Sequence, residues 1–196
     1  MRPDTKYYNY FFAALWLLVA LAIEALVQAG PKKIFYFVSV YASIGLFTVL
    51  FAVCLSPLSR VVRHPFVGSL LLNRRYIGLW GFAFVLTHVL LVFENLLGRN
   101  LAIIFQPAMV MLLLGFLALT ILTAMAFTSS DAMVRRLGGV NWKRLHSMVY
   151  VAIVLAVVHI FNIAQVIFTA DWAKWALIAV VVLVALFKAR HQFKFF

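Results

Sequence analysis

The sequence predicts an all-α integral membrane protein, one domain over residues 1–196 with six transmembrane helices. Three observations predict it. Hydrophobic residues make up 66% of the chain and charged ones 11%, against about 45–50% and 25% in soluble domains, so a globular surface could not be covered. Six runs are free of Asp, Glu, Lys and Arg. The seventeen Lys and Arg lie between those runs rather than on one polar face or tail. The formal charge of +12 therefore reads as membrane topology, with no nucleic acid as partner.

A spanning helix needs about 20 mostly apolar residues, and each run is measured against that length. The first, Tyr7–Ile23, follows the charged start Met1–Lys6. It exceeds a signal-peptide core, and no convincing small-x-small cleavage pattern precedes Pro31. Ile34–Ser59 is the second, with Pro57 near its edge; Tyr76–Phe93 is the third, directly after Arg74 and Arg75. Asn100–Ser130 is the fourth, and Leu145–Ala170, after Gly138 and Gly139, is the fifth. Trp175–Phe187 is short and is extended through Lys174, whose stem can snorkel to the lipid interface. All six are expected to be helical, because lipid offers no partner for open backbone and a barrel would need alternating polarity. The expected spans are 8–29, 34–56, 76–97, 103–127, 145–168 and 172–188.

Basic residues set the orientation. Thirteen, including Arg60, Arg63, Arg74, Arg75, Arg135, Arg136, Lys143 and Arg144, fall on the side of both termini, and only Lys32, Lys33, Arg99 and Lys174 fall on the other. Both termini are expected in the cytoplasm, and helices three and five then run from inside to outside. With the length taken up by spans, no Rossmann-type, separate flavin or ATPase domain is expected. No nucleophile with a base, paired catalytic carboxylates or phosphate-binding loop is seen, so no catalytic residue is assigned. Cys54, the single cysteine, offers no disulfide or iron–sulfur set and reads as a packing residue.

Ionisable groups within spans are candidates for function. His88 lies in the third run, and His146 and His159 in the fifth. His88 follows Arg75 by 13 residues and His159 follows His146 by 13, so the two pairs mark levels about 19.5 Å apart in parallel helices. Two neutral imidazoles at one depth suit the axial positions of a haem iron, making His88 and His159 the metal ligands. The competing reading gives each His a hydrogen bond to neighbouring backbone or Ser. A zinc site would want a third His, Cys or carboxylate at that level, and Glu94 is off the face. His146 and His159 fall roughly 140° apart on an ideal helix, and both can face one side only through tilt, a bend or a bulge. Around His146 the alternatives are a second haem, a flavin or a quinone, with Arg74 and Arg75 holding propionate or phosphate by forked hydrogen bonds. Topology alone would also place those arginines there. Glu24 reads as snorkelling or paired, His64 as a loop residue, and His191 as part of a basic, aromatic interfacial tail.

Several strings resemble one family. Asn73-Arg-Arg-Tyr-Ile-Gly-Leu-Trp-Gly-Phe-Ala-Phe-Val-Leu-Thr-His88 is similar to the third helix of the MsrQ (formerly YedZ) haem-binding membrane subunits of bacterial methionine sulfoxide reductase systems, within the ferric-reductase-like transmembrane group. Ser56-Pro-Leu-Ser-Arg60, Ala126-Phe-Thr-Ser-Ser130, Arg136-Leu-Gly138, Trp142-Lys-Arg-Leu-His146 and His159 match as well, covering about Leu46 to His159. The resemblance implies haem b on His88 and His159, with Arg74, Arg75 and His146 in an inner cofactor region where FMN is a candidate. It implies a multi-pass protein of the bacterial inner membrane. Electrons would pass from a cytoplasmic flavin reductase or membrane quinol to a periplasmic molybdopterin methionine sulfoxide reductase. The wider group often has two His in the third helix, and Arg75 at the inner position favours the MsrQ-like branch. The chain departs from that pattern at His159-Ile-Phe-Asn162 and in a short first outer loop near Gly30-Pro-Lys-Lys33. The expected function is transmembrane electron transfer without sulfoxide chemistry of its own. The alternatives are a cytochrome b reducing ferric chelates or oxygen directly at the outer face, and a structural membrane protein with incidental histidines.

Overall fold

A computed structural model describes residues 5–163 and 171–192. All regular structure among them is helical: α1 (Thr5–Leu26), α2 (Lys33–Val61), α3 (Pro65–Asn95), α4 (Val110–Phe127), α5 (Asp131–Leu137), α6 (Gly139–Ser147), α7 (Val149–Ile163) and α8 (Asp171–Gln192), with two 3-10 turns, Leu101–Phe105 and Pro107–Met109, before α4. Five stretches are long and apolar enough to cross a bilayer: Thr5–Leu26, Lys33–Val61, Pro65–Asn95, Pro107–Phe127 and Gly139–Phe161. In α8 the comparable stretch, Trp175–Val184, is shorter. Residues 164–168 of the fifth expected span, and the side chains of Lys174 and His191, lie outside what is described.

The chain divides into two units, one holding α1 to α3 and the other holding the elements from Leu101 to Ile163 together with α8. In the first, α2 runs antiparallel to α3 at very close range. A Cβ on Gly45 would lie 2.7 Å from Val85 Cγ2 and 2.9 Å from Val85 N, and one on Gly81 would lie 2.8 Å from Val49 Cγ2. Only hydrogen at these two positions lets the backbones approach so closely, as small residues do at helix crossings in lipid. Helix α1 lies parallel to α3, tied by polar side chains that hydrophobicity alone would not select. Trp80 Nε1 donates to Asn9 Oδ1 at 3.0 Å, Trp16 Nε1 to Thr87 Oγ1 at 3.0 Å, and Thr5 Oγ1 to Asn73 Oδ1 at 3.0 Å. Asn73 is almost fully buried and also donates to Ser69 O, so its amide is satisfied on both sides. Between the three helices lies a core of Phe12, Tyr41, Leu55, Leu70, Ile77 and Phe84.

Helix α3 starts eleven residues before the expected boundary at 76. Pro65 occupies its first turn, where a missing N–H costs nothing, and His64 is the N-cap, its Nδ1 accepting from Phe66 N–H at 3.2 Å. His64 is thus a loop residue, as expected, and it caps the helix that follows. Arg74 and Arg75 interrupt the apolar run but not the helix, because the backbone hydrogen bonds are indifferent to side-chain charge. Glu24 pairs with Lys33 at 2.7 Å, as the paired reading expects. Past α3 the chain turns through Gly98 and Arg99, both at positive φ, and the Arg99 guanidinium grips the Glu94 carboxylate, which pushes the Arg99 pKa further up.

In the second unit α4 and α7 pack antiparallel, and Phe161 meets Trp175 of α8 edge-on at 6.3 Å. Ser130 caps α5 by accepting from Met133 N–H, with Asp131 in the first turn and Arg135 and Arg136 in the last, each sign matching the helix dipole. Gly138, at φ 76°, separates α5 from α6. The expected fifth helix is interrupted at Met148, where the turn tightens through Met148 N–H to Leu145 O at 3.0 Å.

Candidate cofactor site

His88 sits in α3, within its apolar half, and its Nδ1 is 2.9 Å from the carbonyl oxygen of Val38 on α2. A carbonyl can only accept, so Nδ1 carries the hydrogen, and a neutral ring would then carry its lone pair on Nε2. His159 in α7 repeats the arrangement in the second unit, with Nδ1 at 2.7 Å from Met111 O on α4. Both rings are therefore oriented by backbone on a neighbouring antiparallel helix. A bond to neighbouring backbone is what the competing reading gives each His, and it is also the support that metal-ligating imidazoles ordinarily have, since donation from one nitrogen fixes the ring and makes the other more basic. The donor chemistry fits an axial imidazole at each position.

His146 is built the other way. Its Nε2 lies 3.2 Å from Thr128 Oγ1, whose hydroxyl is already directed to Ala124 O at 2.8 Å. His146 thus meets a side-chain hydroxyl through Nε2, where His88 and His159 meet a backbone carbonyl through Nδ1. Trp142 stacks on the ring with centroids 3.9 Å apart and donates its indole N–H to Thr128 O at 2.9 Å. Trp142, Thr128 and His146 thus form one tethered group at the end of α4. His146 meets the C-cap of α4 and His159 a carbonyl of α4, although an unbroken ideal helix would turn them roughly 140° apart; the helix is interrupted at Met148 between them.

Arg74 and Arg75 lie on α3, Arg75 thirteen residues before His88, which is about 19.5 Å along an unbroken helix. Arg74 Nη1 donates to Ser56 Oγ at 2.6 Å, linking α3 to the Ser56-Pro57 end of α2. Arg75 is half-buried beside it. Among the described residues no three His, Cys, Asp or Glu side chains gather as a metal-ion site would require. Two participants had no sequence signal, since the carbonyls of Val38 and Met111 are backbone. Thr128, by contrast, stands in a Thr-Ser-Ser string at the end of the fourth run, where a hydroxyl is worth noticing.

No solved structure matches this chain. The sequence pattern of the family described as "Ferric reductase like transmembrane component" matches residues 39–157. The match takes in Arg74, Arg75, His88, Gly115 and His146 and stops two residues short of His159. Spanning more than half of the sequence, it agrees with the apolar helices, and the protein is a multi-pass membrane protein that belongs to the ferric reductase like transmembrane component family.

Proposed function

We propose that the protein is a b-type haem electron-transfer subunit of the bacterial inner membrane, with six spans, both termini in the cytoplasm, and His88 and His159 as the axial ligands. The observation carrying this reading is the paired seating of those two rings, each donating Nδ1–H to a helix carbonyl and so presenting Nε2 as the basic nitrogen. Family membership supports it, since ferric reductase like components are generally haem-binding electron-transfer subunits. When bound, haem b supplies one-electron transfer. The chain's own residues orient the two imidazoles through the carbonyls of Val38 and Met111, which would limit their reorganisation on electron transfer.

At the inner level, Arg75 and Arg74 would supply planar cations for an anionic group, and His146, tethered by Thr128 and Trp142, an imidazole ring. The proposed occupants of that region are FMN, a second haem or a quinone, and the donor is a cytoplasmic flavin reductase or membrane quinol. The proposed acceptor is a periplasmic molybdopterin methionine sulfoxide reductase, by the MsrQ-like strings from Asn73 to His88 and from Trp142 to His146.

The test is single replacement in the purified full-length protein. His88→Ala and His159→Ala should each abolish low-spin haem, because either loss leaves iron with one protein ligand in an apolar environment. Stoichiometric haem with an unchanged low-spin spectrum in the double variant would contradict the assignment.

A further inference from the structure

In an α-helix each Cα–Cβ bond leans toward the N-terminus, so the side chain at i+4 overhangs the carbonyl of residue i. An imidazole approaching that carbonyl from a neighbouring helix must pass the overhanging side chain. Met111 is the acceptor for His159, and the residue one turn on is Gly115. A Cβ built on Gly115 would lie 2.8 Å from both Cε1 and Nδ1 of His159 and 3.2 Å from Cγ. Three atoms of a rigid ring cannot all move away while Nδ1 keeps its 2.7 Å bond. Val38, the acceptor for His88, has Ala42 in the corresponding place, again a small residue.

We propose that Gly115 is the positioning residue of His159: its missing side chain opens the Met111 carbonyl to the ring, and that contact determines which nitrogen carries the lone pair and where it points. The glycine is not required by backbone conformation, since it sits in the middle of α4 at ordinary helical φ. Its cost to helix propensity is offset by the seat it makes for the imidazole. The ligand role of the ring rests on the function proposed above, while its seating rests on the α4–α7 geometry alone.

Three measurements on the full-length protein in detergent test it. First, Gly115→Ala should displace the His159 ring in haem-free protein, read as a change in its ring 15N shifts away from the Nδ1–H tautomer. Second, the same variant should retain haem about 10-fold or more weakly, with loss of low-spin character, as when a supporting contact behind a metal ligand is removed. Third, a double-variant cycle separates positioning from ordinary packing: in a His159→Ala background Gly115→Ala should cost no thermal stability, because the ring it would strike is gone. If Gly115→Ala fails to fold, the double variant is still expected to fold as His159→Ala does. Unchanged ring shifts in Gly115→Ala, or a stability loss that persists in the double variant, would overturn the inference. Wild type without haem, together with a positive cycle, would keep the seating and overturn only the electron-transfer reading.

Discussion

Replacing Gly45 by alanine should loosen both the α2–α3 pair and the seat of His88. The new methyl would lie 2.9 Å from Val85 N and 3.1 Å from Gly81 O, both backbone atoms that no rotamer change can move. Restoring an ordinary contact near 3.5 Å requires the helices to part by about 0.6 Å. His88 is one helical turn beyond Val85, and its bond to Val38 O crosses the same interface at 2.9 Å. The same opening would stretch that bond to about 3.5 Å, where it no longer counts as one. Overpacking costs about 1–3 kcal/mol and the lost hydrogen bond about 0.5–1.5 kcal/mol, while alanine in place of glycine returns about 0.8–1.0 kcal/mol of helix propensity. The net is a destabilisation of roughly 0.5–3.7 kcal/mol, with altered His88 ring shifts. Equilibrium unfolding in mixed micelles measures it, with Gly68→Ala as the comparison, since a Cβ there meets nothing within 4 Å and only the propensity gain remains. Gly45→Ala as stable as wild type, with the His88 signal unmoved, would refute the link between helix crossing and ring placement.

Arg75→Lys should slow donor-driven haem reduction and Arg75→Gln should slow it more, because the planar fork is lost first and the charge second; equal rates, normalised to haem content, would return Arg75 to membrane topology. His146→Ala should leave the low-spin spectrum of the His88 and His159 site unchanged while altering reduction by flavin or quinol, and loss of that spectrum would contradict the separation of the two levels. Trp16→Phe removes the donor to Thr87 at 3.0 Å and should cost about 0.5–1.5 kcal/mol in unfolding measurements. A cost near zero would mean that the α1–α3 ladder contributes little beyond packing.

The spans were legible because lipid imposes one simple demand, an unbroken apolar length, and the runs starting at Tyr7 and Ile34 reappear as α1 and α2. Their ends were less so. Arg74 and Arg75 concealed the first eleven residues of α3, where Pro65 and His64 supply the true start. The fifth run hid an interruption at Met148; the angular mismatch between His146 and His159 had left tilt, a bend or a bulge open. The three histidines were legible as rare ionisable groups in apolar sequence. What distinguishes them was not, because it depends on partners distant in sequence: backbone carbonyls of Val38 and Met111 for two rings, and the Thr128 hydroxyl for the third. The helix-to-helix glycines, Gly45 and Gly81, and the seat at Gly115 have the same invisibility, since a missing side chain carries meaning only once its neighbour is known.

The measurement that most directly tests the central claim is the absorption spectrum of the purified full-length protein, oxidised and then reduced, with the bound porphyrin quantified. Electron transfer on a bis-imidazole site predicts reducible low-spin b-type bands that survive His146→Ala and vanish in both His88→Ala and His159→Ala. Absence of haem bands from well-folded wild-type protein would contradict it.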